Sequence, residues 1–241
     1  MLNRMAKKFI EGTELVKAGY ANGISSQLAA KQELEGPEAR LTEHEKQVII
    51  ERASAAFANF LTALGCDYKD DPNSSDTPNR VAKAYVNDLW KGRYEPLDKI
   101  TAFPSDGYDG IVQESNIPVQ SMCSHHHQGI GGNVSIAYIA AADGKVVGLS
   151  KLNRIVEQFG RRGAIQEQLT VAIHNAVDKI CEGNLGVAVM ISATHNCVSC
   201  RGVKHRGASM QTAKLTGAFL NEDSAKAEFY KNIELASICK H

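Results

Sequence analysis

Two short segments constrain this chain more than any other feature. Ser121-Met-Cys-Ser-His-His-His127 carries a cysteine and three consecutive histidines, and Thr194-His-Asn-Cys-Val-Ser-Cys200 follows about seventy residues later. Thiolate sulfur and imidazole nitrogen concentrated in this way suit Zn²⁺, which takes Cys and His ligands in a tetrahedron without a preferred d-electron geometry. A fold that serves such a site has to bring the two segments together. Cys123 and His126, separated by two residues, can both turn onto one ion from a tight turn or a strand end. His125 then faces elsewhere in the site if the segment is extended. Spacing leaves the ligand count open. Cys197 and Cys200 form a C-x-x-C that with Cys123 and His126 would close a structural Cys₃His site, whereas three protein ligands leave a position for water. An open site lowers the pKa of bound water toward ~7; a closed one staples loops.

The rest of the composition narrows the setting. Lys plus Arg balances Asp plus Glu at 27 each, so no global field favours nucleic acid or an anionic membrane, and any anion site has to be built locally. No stretch approaches the roughly 20 apolar residues of a membrane span, and the N-terminus lacks the charged-then-apolar pattern of a secretory signal. A cytoplasmic protein is expected. There, clustered cysteines point to metal or reactive thiols rather than disulfides. Cys66, Cys181 and Cys239, outside the two segments, read as small buried or incidental residues.

Periodicity gives the order of elements. Residues 1–40 mix charged, Gly and Ala positions, with the spacing of a short helix over Arg4–Lys17. Thr42-Glu-His-Glu45 has the form of a capping box and opens a helix that buries Val48, Ile49, Ala53, Phe57, Phe60, Leu61 and Leu64. Thr77 as N-cap and Pro78 as first helical residue start a second helix, running to about Trp90 and burying Val81, Tyr85 and Leu89. Residues 91–113 read mainly as loop. Val134, Ile136, Tyr138 and Ala140 alternate as a strand, and Asp143-Gly144 supplies a hairpin turn before Val146–Leu149. Helical stripes follow at Leu152–Phe159 and Ile165–Ile180. A strand over Leu185–Ile191 delivers His195 and Cys197, another covers Ala208–Phe219, and a helix closes the chain over 223–238. Without βαβ alternation, this order reads as α+β: an antiparallel sheet with helices on one face.

The motifs resemble the GTP cyclohydrolase I family. Its Cys-Glu-His-His stands here as Cys123-Ser-His-His126, and its Gly-Leu-Ser-Lys-x-Asn-Arg as Gly148-Leu-Ser-Lys-Leu-Asn-Arg154. Val-Gln-Glu-Arg-Leu-Thr stands as Ile165-Gln-Glu-Gln-Leu-Thr170, His-x-Cys-x-x-x-Arg-Gly as His195-Asn-Cys-Val-Ser-Cys-Arg-Gly202, and the helix start Asp76-Thr-Pro-Asn-Arg80 also looks like the family's. The resemblance covers roughly Thr42 to Phe219. It implies zinc-dependent opening of the guanine imidazole ring of GTP, with dihydroneopterin triphosphate and formate as products, feeding tetrahydrofolate or a related pterin or deazapurine pathway. It implies Cys123, His126 and Cys197 as zinc ligands, with Cys200 a bystander. His125 and His195 would move protons, and Ser150 would contact the opened ribose. Glu167 alongside Gln166 would recognise guanine, since one carboxylate can accept both its N1–H and 2-amino hydrogens. Lys151, Arg154 and Arg201, with Arg80, would hold the triphosphate.

The family's architecture is the tunnelling fold, or T-fold, in which sheets from several subunits close into a barrel with active sites between subunits, generally in decamers. The expected organisation is therefore an N-terminal appendage over 1–40, a helical region over 41–115 and a T-fold catalytic domain over 116–241. Three features depart from the family pattern. Ser124 replaces a Glu, His127 replaces an apolar residue, and Gly129-Ile-Gly-Gly132 is richer in glycine, which predicts a looser loop. Two other readings use the same residues: a diverged cyclohydrolase that takes another guanine nucleotide such as dGTP or stops at the formamide, and a non-catalytic T-fold zinc protein with Cys200 as fourth ligand.

Overall fold

The computed structural model describes residues 40–238. The short helix expected over Arg4–Lys17, the rest of the N-terminal appendage up to residue 39, and Cys239 lie outside the described residues.

Helix α1, Glu43–Ala63, starts at the capping box: the Glu45 amide donates to the Thr42 hydroxyl, and the Thr42 amide to the Glu45 carboxylate. Its expected apolar stripe is largely uncovered within one chain. Ile50 packs against Ala82, Val86 and Tyr94, while Phe60 and Leu64 stay 54% and 63% exposed. Helix α2, Thr77–Ala84, has Asp76 rather than Thr77 at the cap position and runs into a π-turn at Tyr85–Leu89. Its buried stripe is Pro78, Ala82 and Val86, one position off the expected Val81, Tyr85 and Leu89. Pro78 is itself buried at the helix start, so the residues four and eight positions on face inward with it. Tyr85 is thereby released to meet other partners. Helix α3, Lys91–Tyr94, abuts the next layer so closely that a Cβ on Gly92 would lie 2.1 Å from the Gln158 carbonyl oxygen. Glycine is required there.

Four antiparallel strands form the main sheet in the order β2-β3-β5-β6: β2 Ile111–Met122, β3 Gly129–Ile139, β5 Gly186–His195 and β6 Met210–Leu215. Strand β2 therefore begins inside the region read as loop. The turn at Asp143-Gly144 forms, but β4, Lys145–Val147, pairs with β1, Ala102–Pro104, in a separate two-stranded sheet and not with β3. Helices α4, Leu149–Gly160, and α5, Gln166–Ile180, cover one face. Their Leu152, Ile155, Phe159, Leu169, Ile173 and Val177 close over Val134, Ile136, Tyr138, Val187, Val189 and Ile191. Each such side chain contributes about 1.5–3 kcal/mol by leaving water. After two one-turn helices, α6 Asn196–Ser199 and α7 Ala218–Asn221, helix α8 (Asp223–Ile238) packs Ala225 and Phe229 on the opposite face, against Ala137, Ile139, Ala188 and Phe219.

Register decides where the chemistry sits. Strands β3 and β5 pair from Ile130 opposite His195 to Ile139 opposite Gly186, so the Cys123 turn and the His195–Cys200 segment leave the sheet at the same end. The two segments meet because they flank adjacent antiparallel strands.

Candidate metal centre and active site

Each ligand side chain arrives from a different local structure. Strand β2 ends at Met122, and Cys123 follows its inward-facing positions Ile117 and Val119, so its thiol lies in the core at 5% exposure. The chain then reverses. The His127 amide donates to the Cys123 carbonyl and the Cys123 amide to the Gln128 carbonyl, both at 2.9 Å, and this closed turn presents His126 above Cys123. Strand β5 ends at His195, and the single turn of α6 lifts Cys197 toward the same point. Cys123 Sγ, His126 and Cys197 Sγ offer ligand atoms that all lie within 4.8 Å of one another. Ligands on a zinc tetrahedron sit about 3.7 Å apart, so a small contraction brings this set onto an ion.

The donor chemistry fits a dication. Burial pushes the Cys197 thiol up, and the neighbouring Cys123 adds to that effect; Arg201 pulls the other way. A cation that binds the two sulfurs as thiolates relieves that effect on Cys197. Among the described residues Cys200 is not in this group: it is exposed, with its Sγ 3.7 Å from the Ser199 hydroxyl. His127 is not in it either. The glycine-rich stretch expected to be loose is regular strand, with Gly129–Gly132 paired to β2 and Ile130–Gly132 also to β5. Gly132 serves close strand approach, since a Cβ there would lie 2.1 Å from the Ser192 carbonyl oxygen.

His195 continues the inward-facing series Val187, Val189, Ile191, Ala193 of β5 and meets Gln166 at the start of α5. Gln166 is 1% exposed. Its amide nitrogen donates to the carbonyls of Ile191 (3.2 Å) and Met210 (3.0 Å), with the Thr212 hydroxyl at 3.1 Å. Carbonyls only accept, so the amide oxygen has to face His195 Nε2, 2.8 Å away. That oxygen also only accepts. His195 therefore carries its proton on Nε2, which leaves Nδ1 as the lone-pair nitrogen, an assignment made from the hydrogen-bond network. Burial lowers the His195 pKa, and the charge of nearby Glu167 opposes the shift. The sequence groups Gln166 with the substrate contacts; in the fold its side chain is turned inward and reaches the site through His195. Glu167, the next residue, is exposed on the first turn of α5.

Comparison with known proteins follows the same residues. The sequence profile of GTP cyclohydrolase I matches residues 53–234. The chain is 41% identical over 184 residues to GTP cyclohydrolase 1 of Pseudoalteromonas translucida (strain TAC 125), covering 74% of this chain and 95% of that one. The chain belongs to the GTP cyclohydrolase I family. GTP cyclohydrolase 1 of Corynebacterium glutamicum is 38% identical over 183 residues, covering 76% of this chain and 92% of its own. That of Shewanella sp. (strain ANA-3) is 40% identical over 172 residues, 70% and 78% respectively. A solved structure of the apo archaeosine synthase QueF-Like superposes with a TM-score of 0.37 at 17% identity, covering 45% of this chain and 94% of that one. The antiparallel sheet with α4 and α5 on one face is the T-fold of the GTP cyclohydrolase I family.

The remaining positions matched to that family do not all converge. Gly160, at the end of α4, touches the Gln120 backbone near the metal group, whereas Ser150 and Lys151 begin the same helix about 15 Å away along its axis. Arg154 is exposed and lines a cleft with Arg40, Lys91, Glu157 and Arg161. Arg80 is exposed and paired with Asp76 at 3.2 Å. Arg201 is exposed on the loop after α6, and His125 on the metal turn, its ring 6.3 Å from that of His126. One chain thus gathers Cys123, His126, Cys197, His195, Gln166 and Glu167 and leaves Ser150 and Lys151 apart. The sequence reading missed Tyr85 and Trp90, which contact His127 beside the metal turn. They were legible only as helix-face residues.

Proposed function

We propose that the chain is a zinc-dependent GTP cyclohydrolase that opens the guanine imidazole ring of GTP to give 7,8-dihydroneopterin triphosphate and formate. The observation that carries this reading is the open Cys123, His126, Cys197 group beside a histidine whose tautomer is set by Gln166. Held by those residues, zinc would supply a Lewis acid with a position left for water and would lower that water's pKa. Its two thiolates and one imidazole favour zinc over the hard, oxygen-seeking cations.

The chain's own residues bind, orient and move protons. The Glu167 carboxylate accepts from guanine N1–H and the 2-amino group, a pairing adenine lacks, and so selects the base. His195 takes and returns a proton at Nδ1 while Nε2–H stays on Gln166; His125, on the exposed turn, handles a second proton. Ser150 contacts the ribose, and Lys151, Arg154, Arg201 and Arg80 neutralise the triphosphate. Because Ser150 and Lys151 begin a helix that leads away from the metal group, a second copy of the chain supplies them. This favours a homo-oligomer, decameric in the family pattern, with a domain division at about residues 40 and 115. A cytoplasmic location and a role ahead of tetrahydrofolate formation complete the reading.

Formate release and pterin fluorescence, followed with GTP and with dGTP, test it. GTP should give both signals in a protein holding one zinc per chain, and Glu167→Ala should lower kcat/KM at least about 100-fold, the loss expected when a charged hydrogen-bonding pair is removed. Neither formate nor pterin from a zinc-loaded protein sinks the reading. Turnover of dGTP alone, or a formamide product without formate, replaces it with the diverged enzyme.

A further inference from the structure

His127 departs from the family pattern, and its placement gives it a purpose. It sits at φ 52°, in the left-handed region, where histidine is one of the few side chains found with any frequency. The turn from Cys123 to His127 closes by two backbone hydrogen bonds, and Ser124, His125, His126 and His127 itself are all exposed. The left-handed residue swings its imidazole off the metal group and onto the N-terminal helical region. There its Nδ1 lies 3.1 Å from the Tyr85 hydroxyl, and its ring lies 5.2 Å from that of Trp90 and 5.9 Å from that of Tyr85.

Those partners are themselves fixed. Tyr85 meets Trp90 edge-on at 5.2 Å, and the Arg93 guanidinium lies 4.5 Å over the indole. The indole edge presses on Gly163, where a Cβ would come within 2.5 Å of Nε1. Gly163 leads into Ala164, whose amide donates to the Met122 carbonyl at 3.1 Å, and then to Gln166, which holds His195. The aromatic platform therefore touches both the metal turn and the segment that sets the proton-carrying histidine.

We propose that His127 is a positioning residue: seated against Tyr85 and Trp90, it anchors the Cys123–His127 turn to the helical region and sets how His126 is presented to the metal. It acts through His126 and is not a fourth ligand. The proposal rests on the metal reading of Cys123, His126 and Cys197, and the test separates the two.

Full-length wild type, Y85F, H127F and H127A are compared by zinc content, by zinc affinity in competition with a chromophoric chelator, and by the absorption spectrum of the Co²⁺-substituted protein. Y85F, which removes one hydroxyl and keeps the ring, should bind zinc about 3- to 10-fold more weakly, the factor for one neutral hydrogen bond. H127A should lose about 10- to 100-fold, as partners behind a metal ligand do. H127F, which keeps a ring on Trp90, should fall between. In all three the cobalt spectrum should keep its thiolate charge-transfer bands, with only small shifts in the d–d bands. kcat should fall with zinc fully loaded, with KM for GTP nearly unchanged. Wild-type zinc affinity in both Y85F and H127A overturns the proposal. Loss of one metal-bound imidazole in H127A, counted by the hyperfine-shifted proton NMR signals of the cobalt protein, makes His127 a ligand and overturns it equally. If H127A fails to fold, Y85F alone decides. A wild-type protein that binds neither zinc nor cobalt defeats the metal reading itself, a result distinct from loss of the anchor alone.

Discussion

Replacing Gln166 by methionine keeps the length and approximate volume of the side chain while deleting every polar atom that holds His195. The amide nitrogen has two hydrogens and three acceptors within reach, Ile191 O, Met210 O and Thr212 Oγ1, so two donated bonds are lost at any instant, and the bond accepted from His195 Nε2 is lost with them. At about 0.5–1.5 kcal/mol each, with buried carbonyls left short of a donor, the loss is about 2–4 kcal/mol. For a chain of this size that lowers Tm by roughly 5–15 °C. The effect on rate has a separate origin. Without the amide oxygen, His195 samples both tautomers and rotates, so if it carries protons as proposed, a share of the 10²- to 10⁴-fold that general acid–base catalysis provides disappears, and kcat should fall about 100-fold. KM for GTP should move little because Glu167, the proposed guanine contact, is untouched. Scanning calorimetry, steady-state kinetics and imidazole ¹⁵N NMR check the three parts. Gln166→Glu separates them: it keeps an acceptor for His195 Nε2–H but turns a carboxylate toward two carbonyls, so the tautomer should persist while stability falls. A methionine variant with kcat within twofold of wild type and an unchanged Nε2–H tautomer would refute the reasoning.

Two further predictions rest on other parts of the molecule. Cys200→Ser should keep one metal per chain by elemental analysis, whereas Cys197→Ser should lose it on dialysis; loss in Cys200→Ser would instead favour the closed Cys₃His site. His174 is 2% exposed, with Nε2 3.0 Å from the Thr216 hydroxyl, and burial lowers its pKa below the ordinary 6.5. The unfolded chain therefore takes up this proton more readily than the folded one. The stability it contributes is present above pH 6.5 and is lost as pH falls through the lower folded value. His174→Gln should flatten Tm against pH below 6.5, and an unaltered slope would show that another group carries the acid sensitivity.

Where local rules and tertiary demands agreed, the elements could be read directly. The Thr42–Glu45 capping box, the stripes of α4 and α5 and the alternation of β3 and β5 all appear where the pattern puts them. The reading slipped where a distant partner took over. Strand β4 pairs with β1, three residues inside an apparent loop, because strand pairing is non-local and a short edge segment carries no periodicity of its own. In α2 the buried Pro78 decided the inward face, a choice that hydrophobicity alone could not make between two neighbouring stripes.

The same division holds for the site. Residue type and spacing in Cys123-x-x-His126 and His195-x-Cys197 by themselves determined that this chain carries the makings of a soft metal centre, because thiolate and imidazole chemistry belongs to the side chains and not to the fold. The choice of Cys197 over Cys200 by geometry, the tautomer of His195 and the direction of His127 were decided only in three dimensions. Each depends on partners far away in sequence: the end of β2 for Cys197, Gln166 for His195, and Tyr85 with Trp90 for His127. A proton or a ring takes its position from what faces it, and the strand register and the packing of the helical region are what bring those faces together.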